Sequence, residues 1–182
     1  MITEYYRPQT LAEAREIIQK KGKSLKILGG GTTLWQWKDQ VSTVLDVQAI
    51  GLKKIEPSQT HLVFGAGLTL AELENASAIP AALKTAIQLN STYNQRQIAT
   101  VAGSLVAADG RSTFATAMLA LNAHLKLFPS DDERAYGDLL ALPSETLDGQ
   151  LITEIRIPAN VQLAFKYVAR TKADLPLVCV AL

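Results

Sequence analysis

Leu25-Lys26-Ile27-Leu28-Gly29-Gly30-Gly31-Thr32-Thr33-Leu34 changes character halfway along. Its first four residues are mostly apolar and read as a short strand; then the chain has no side chains for three positions. Successive glycines cost backbone entropy on folding, so their place is a tight turn, a positive φ or a close approach of backbone to something else. Thr32 and Thr33 add hydroxyls beside a run of backbone N–H groups. That is the make-up of a cradle in which amides, rather than Lys or Arg, hold an anion such as phosphate. A plain turn after a strand is the other reading, and the loop alone leaves both open.

Composition narrows the classes. The 182 residues suffice for one large domain or two small lobes with a core. A hydrophobic fraction of 48% with 19% charged residues is globular rather than disordered. With 18 Lys and Arg against 17 Asp and Glu, the chain lacks the basic footprint of a nucleic-acid or membrane-surface partner. No apolar run is long enough for a membrane span, and the N-terminus lacks the basic-then-apolar pattern of a signal peptide, so a cytoplasmic protein is expected. Cys179 is the only cysteine, which leaves no disulfide framework and no thiolate metal or iron–sulfur site. His61 and His124 have no carboxylates at ligand spacing and read as ordinary strand residues, so no metal site is expected.

Outward from the glycine loop, helix and strand signals alternate. Thr10-Leu11-Ala12-Glu13 has capping-box spacing, Leu11, Ala14, Ile17 and Ile18 share a helical face, and Gly22 suits the C-cap. Thr43 to Val47 and Leu62 to Ala66 read as strands, with a turn at Gly51. Thr69-Leu70-Ala71-Glu72 repeats the helix start, but the flanking sequences differ, so it is not an internal repeat. Pro80 suits the first turn of a helix through Leu89, and the polar, aperiodic Asn90 to Gln97 reads as a surface loop. Ile98 to Gly110 is small and apolar with scattered hydroxyls, after which Ser112 or Thr113 caps a helix through Leu121. Leu125 and Leu127 mark a strand, and Tyr136 to Leu142 a short helical segment. Ile152 to Ile157 (Ile, Thr, Glu, Ile, Arg, Ile) reads as an alternating, half-buried strand that stops at Pro158. Gln162 to Arg170 and Leu177 to Leu182 are further strands; the last reads as buried in type and in need of a partner, and the chain looks cut there.

Motifs for common chemistries are missing. Gly65-Ala66-Gly67 imitates a dinucleotide fingerprint, but its sixth position is Leu70, no acidic residue follows at the ribose-binding distance, and a plain strand-to-helix turn is the better reading. There is no Gly-Lys-Ser/Thr, no Gly-x-Ser-x-Gly, and no Ser–His–Asp set, while Asp131, Asp132 and Glu133 read as a solvated turn. The chain thus shows no catalytic acid or base of its own. Two small-residue loops remain, Gly29–Thr33 and Thr100–Ser104. If both approach one diphosphate, they clamp it with amides and threonine hydroxyls, and a ligand that brings its own reactivity accounts for the missing catalytic groups.

In this order and spacing, the segments resemble the FAD-binding subunit of the molybdenum hydroxylases: the medium subunit of carbon monoxide dehydrogenase and the flavin domain of xanthine dehydrogenase. The match runs through Tyr6-Arg7-Pro8, Leu28 to Leu34, Val44-Leu45-Asp46-Val47, Ile50-Gly51-Leu52 and Gly65 to Leu73. It continues with Arg96 to Leu105, Leu119-Ala120-Leu121-Asn122-Ala123, Ile152 to Pro158 and Asp174 to Leu182. The resemblance implies an α+β protein with two α/β lobes of the vanillyl-alcohol-oxidase (PCMH-type) FAD-binding fold. Residues 1–56 and 57–170 would be the lobes and 171–182 the start of a C-terminal domain whose remainder is missing.

It also implies a site. Ile27, Leu28, Gly29, Gly30, Gly31, Thr32, Thr33 and Leu34 would wrap the FAD pyrophosphate on one side, and Thr100, Val101, Ala102, Gly103 and Ser104 would close it on the other. Ile152 and Lys166 fall where the family has contacts near the flavin end, and Thr113 where it has an acidic residue that contacts the cofactor. The implied partners are a molybdopterin-binding large subunit and a [2Fe-2S] small subunit, with NAD or another compound as electron acceptor. On this reading Gly30→Val should abolish FAD binding and leave the protein folded. Departures from the family pattern also have consequences. Ala102 replaces a glycine, so its methyl is expected to crowd a phosphate or forbid a positive φ; Ser104 replaces an asparagine, and Gly110 a common proline. These departures favour a rival, a non-redox assembly or regulatory module of the same fold that has lost FAD. A stand-alone flavin oxidase ranks behind both.

Overall fold

The computed structural model describes residues 2–33, 41–142, 147–171 and 174–182. The first third builds a parallel sheet from β1 (Glu4–Tyr6), β2 (Leu25–Leu28) and β3 (Thr43–Asp46), in the order β1-β3-β2. α1 (Leu11–Lys21) crosses from β1 to β2, the two strands that flank β3 in parallel. It buries Ala14 and Ile18 against Leu25, Leu45 and Val47. The expected cap is present in modified form. Thr10 Oγ1 accepts from the Glu13 N–H, but the Glu13 carboxylate reaches one residue further back, to the Gln9 N–H at 2.8 Å.

The remainder is organised on an antiparallel sheet of order β4-β5-β8-β6-β7. Its strands are β4 (Ile55–Pro57), β5 (His61–Gly65), β6 (His124–Phe128), β7 (Glu133–Ala135) and β8 (Leu151–Pro158). Between β5 and β6 come α2 (Leu70–Asn75), α3 (Ala81–Asn90), α4 (Tyr93–Ile98), α5 (Val101–Val106) and α6 (Thr113–Ala120), with α7 (Tyr136–Leu140) after β7. Phe64, Ile155 and Leu125 from the sheet meet Leu83, Phe114 and Met118 from the helices in the main core. An antiparallel pair, β9 (Phe165–Val168) and β10 (Val178–Ala181), lies over α6 and α3. Phe128 and Leu151, at adjoining ends of β6 and β8, enter the smaller core under α1, so the two layers share apolar contact. Arg15 adds a cation–π contact, 4.7 Å from the Phe128 ring centroid.

Some expectations need correction. Asn90 to Gln97 is not a loop: Thr92 and Gln95 form a complete capping box that starts α4. Thr100 to Ser104 is not a loop either, since Thr100 caps α5 and the rest is its first turn. Of the two caps expected for α6, Ser112 is the one used. The last strand is not of the buried type: Val178, Val180 and Leu182 are exposed along one face, while Cys179 and Ala181 turn inward. Gly65-Ala66-Gly67 is the plain turn expected, packed on the backbone of Leu52 to Lys54, with its three amides donated to Lys54 O, Thr153 O and Leu52 O.

Tyr136 ties α7 to α5. Its ring is 2% exposed, its hydroxyl donates to Leu105 O at 2.9 Å, and burial pushes its pKa up to about 12. The raised value means that the fold favours the neutral phenol. Its contribution is therefore complete below pH about 10 and is lost as the pH rises toward 12. Alkaline unfolding should show a fall across that window about 2–3 kcal/mol larger than in Tyr136→Phe. Denaturant titrations at successive pH values check it.

Candidate functional site

The glycine loop sits against the segment that leads into α5. A Cβ on Gly29 would lie 2.5 Å from Thr100 Oγ1, and one on Gly30 would lie 1.8 Å from Ile98 O. Gly31 has φ +72°. Close backbone approach therefore requires the first two glycines and a left-handed conformation the third. This corrects the expectation for Gly30→Val: the space that valine would occupy is filled by protein backbone, so the fold is affected along with the ligand.

The two loops differ in where their amides go. In α5 the Val101 N–H donates to Leu68 O at 2.8 Å and the Ala102 N–H to Ala66 O at 3.3 Å. The Gly103 N–H bonds Thr100 Oγ1 at 3.2 Å and the Ser104 N–H bonds Thr100 O at 2.9 Å. The Val101, Ala102 and Gly103 N–H groups, three of the four donors that a helix start leaves for an anion, are thus engaged within the protein. In contrast, the amides of Gly30, Gly31, Thr32 and Thr33 reach no acceptor among the described residues. Gly29 O is held by Gln48 Nε2 at 2.7 Å, which fixes the start of that loop.

A cleft of about 240 Å³ opens beside these amides. Thr32, Thr33 and Ser104 line it, together with Asn90, Ser91, Gln95, Asp109, Arg111 and Ser112. Ser91 Oγ is buried and has no hydrogen-bond partner among the described residues, so a polar group in the cleft wall is unsatisfied. Behind the wall, Arg96 binds Glu74 at 2.8 Å and donates to Ser91 O at 2.6 Å and to Gln88 O at 3.3 Å. Ser112 Oγ donates to Asn90 Oδ1 at 2.8 Å, joining the ends of α3 and α6. The Asp109 carboxyl is held below its usual value, first by the Arg111 amide and also by the Arg111 guanidinium. A second depression of about 370 Å³, at the start of α3 near His61 and Asn160, contains none of the expected residues.

The expected residues are only partly brought together. Thr32, Thr33 and Ser104 meet at the cleft, with Gly29 and Gly30 beside Ile98–Thr100 and Gly31 against Leu28. Ile27 and Leu28 lie in β2 beneath the loop; Leu34 falls outside the described residues. Val101 is fully buried, and Ala102 is helical with its methyl packed on the main core, so it neither needs a positive φ nor crowds the cleft. Gly103 is part of the Thr100 cap. Ile152 is a core residue of β8, and Lys166 is exposed on β9; neither lines the cleft. Thr113 is fully buried, and its hydroxyl donates to Ala86 O at 2.7 Å. Thr113→Val should thus cost about 1 kcal/mol of stability and leave FAD affinity unchanged, which thermal unfolding and flavin titration together will show. Sequence reasoning missed Asn90, Ser91, Gln95, Asp109, Arg111 and Ser112. Only the Thr92–Gln95 box and the Asp109-Gly110 turn could have signalled them.

Among the described residues the donor set suits an elongated anion with hydroxyls: loop amides without an acceptor, threonine and serine hydroxyls, the Arg111 guanidinium and a Ser91 Oγ without a partner. FAD, with its diphosphate and ribityl and ribose hydroxyls, fits that set. An α+β protein with an amide-lined cleft between two small lobes is the class that fold and site define. Comparison gives the family. Residues 1–160 match the model of the FAD binding domain in molybdopterin dehydrogenase. The chain belongs to that family, and FAD is its cofactor. It is 27% identical over 184 residues to the uncharacterized protein YgfM of Escherichia coli K12, covering all of this chain and 69% of that protein. The reconstituted CO dehydrogenase from Oligotropha carboxidovorans contains a chain with the same fold, with a TM-score of 0.85, 24% identity, and coverage of 100% of this chain and 68% of that one. Quinoline 2-oxidoreductase from Pseudomonas putida 86 contains another, with a TM-score of 0.87, 21% identity and the same coverage. Among the described residues, no helix is long and apolar enough to cross a membrane, and no group of His, Cys, Asp and Glu could hold a metal ion.

Proposed function

We propose that the chain is the electron-transferring flavoprotein part of a molybdenum-dependent hydroxylase or dehydrogenase. It would receive electrons from the iron–sulfur clusters of a [2Fe-2S] subunit, served by a molybdopterin-binding large subunit, and deliver them to NAD or another acceptor. The observation that carries this reading is that the amides of Gly30 to Thr33 reach no acceptor among the described residues, at a loop whose Thr32 and Thr33 line a cleft in which the described charged residues are Asp109 and Arg111, paired with each other. A site built to hold and not to react suits a cofactor that supplies two-electron redox chemistry itself. That one structural relative is a Cu,Mo-CO dehydrogenase supports the kind of assembly proposed.

In this reading the first loop holds the diphosphate through its amides and the hydroxyls of Thr32 and Thr33. The α5 segment buttresses it, with Ser104 reaching the cofactor from that side. Residues 1–56 and 57–170 act as the two FAD-holding lobes, and 171–182 begin a further part of the protein. Two measurements test the proposal. The FAD-loaded protein, reduced anaerobically, should be reoxidised by NAD or by a quinone or dye, and a tagged form should co-purify with molybdopterin and iron–sulfur subunits. Retained FAD that exchanges electrons with no acceptor, in a protein that captures no such subunits, would refute the electron-transfer role.

A further inference from the structure

Arg111 is the one cation, and Asp109 the one anion, among the described residues lining the cleft. They pair with each other: Arg111 Nη2 lies 3.3 Å from Asp109 Oδ2, and the Arg111 amide donates to Asp109 Oδ1 at 2.9 Å. Both side chains are more than half exposed, at 62% and 60%. An ion pair that open contributes little to stability, so the guanidinium can leave at small cost. Asp109 would not be loosened by its departure, because the Arg111 amide holds the carboxylate through the turn itself. The other polar residues of the lining, Thr32, Thr33, Asn90, Gln95, Ser104 and Ser112 among them, are uncharged. As it stands the wall is electrically neutral, although its ligand carries two phosphate charges.

We propose that Arg111 is the diphosphate-binding cation of this cleft and that Asp109 is the counter-ion the diphosphate displaces. The proposal rests on the FAD reading above. The planar guanidinium suits two phosphate oxygens at once, which loop amides alone do not match. Asp109, facing the same cleft, holds Arg111 before ligand arrives and repels the phosphates afterwards, so it lowers affinity. Among the described residues neither side chain bonds to another element, and their replacement leaves the fold as it is.

The test is titration of the whole chain with FAD, and with riboflavin as a phosphate-free probe, at about 20 mM and about 300 mM salt. Arg111→Ala should raise the Kd for FAD about tenfold at low salt and flatten its salt dependence, while riboflavin binding and thermal stability stay as in the parent. Arg111→Lys should recover part of the affinity, and Asp109→Asn, which preserves the turn, should tighten FAD binding about threefold. Parental affinity and salt dependence in Arg111→Ala, equal losses for FAD and riboflavin, or weaker FAD binding by Asp109→Asn would each overturn the inference and leave the FAD reading standing. A parent chain that binds no FAD at either salt overturns both.

Discussion

Gly30→Val is expected to abolish FAD binding and to lower the melting temperature by about 10 °C, a loss of roughly 3 kcal/mol or more. A Cβ there would stand 1.8 Å from Ile98 O, 2.6 Å from Ile98 C and 3.0 Å from Ala99 Cα. These atoms cannot give way, because their segment is held on both sides. The Ala99 N–H donates to Gln95 O at 2.8 Å, and Ala99 O accepts from the Leu70 N–H at 2.9 Å. The glycine loop must withdraw instead, taking with it the amides at the cleft. Gly110→Ala is the control, since a Cβ at Gly110 meets no atom within 4 Å. A Gly30→Val protein with parental melting temperature and FAD affinity would show that the two segments do not abut.

Arg96→Ala is the other substitution with a large expected effect, a loss of about 3–4 kcal/mol with FAD affinity weakened as well. The Arg96 and Glu74 side chains are only 12% and 17% exposed, which separates this pair from the surface ion pairs that contribute little. Truncation would leave the Glu74 carboxylate with only the Gln88 amide, at 2.8 Å, as a described donor. It would also remove the donor from Ser91 O and Gln88 O at the C-terminal end of α3. Asn90, Ser91 and Gln95 would then lose the brace that fixes their side of the cleft. Arg96→Lys should recover only part, because an ammonium cannot span the carboxylate and both carbonyls. Denaturant unfolding gives the stability, and a cost below about 1 kcal/mol would mean that the pair does not brace α2 against α3 and α4.

Local signals in the sequence set most of the fold, and the resemblance supplied the architecture. The Thr69–Glu72 box, the strand over Ile152 to Ile157 and the helix after Pro80 stand in the structure, but a register shift opposite Lys126 and Leu127 buries Leu151, Ile152 and Thr153 in succession, so burial alternates only from Thr153 on. The α4 helix escaped notice because it buries none of its residues; capping and the Arg96 network hold it, and neither leaves an apolar period. Thr100 to Ser104 looked like a phosphate loop because small residues are visible in a sequence, whereas the acceptors Leu68 O and Ala66 O, which engage its amides, are set by tertiary packing. The same holds for the glycines. That Gly29 and Gly30 needed space was legible; that Ile98 to Thr100 fills it was not. Thr113 follows suit, since Ala86 O lies 27 residues away.

The most direct test of the central claim is the visible spectrum of the purified chain after incubation with excess FAD and desalting. Flavin bands corresponding to about one FAD per chain, retained by the parent and lost in Gly30→Val, are the expected result. A parent chain that emerges colourless, with no flavin released on denaturation, would contradict the assignment of the Gly29–Thr33 cleft as a cofactor site.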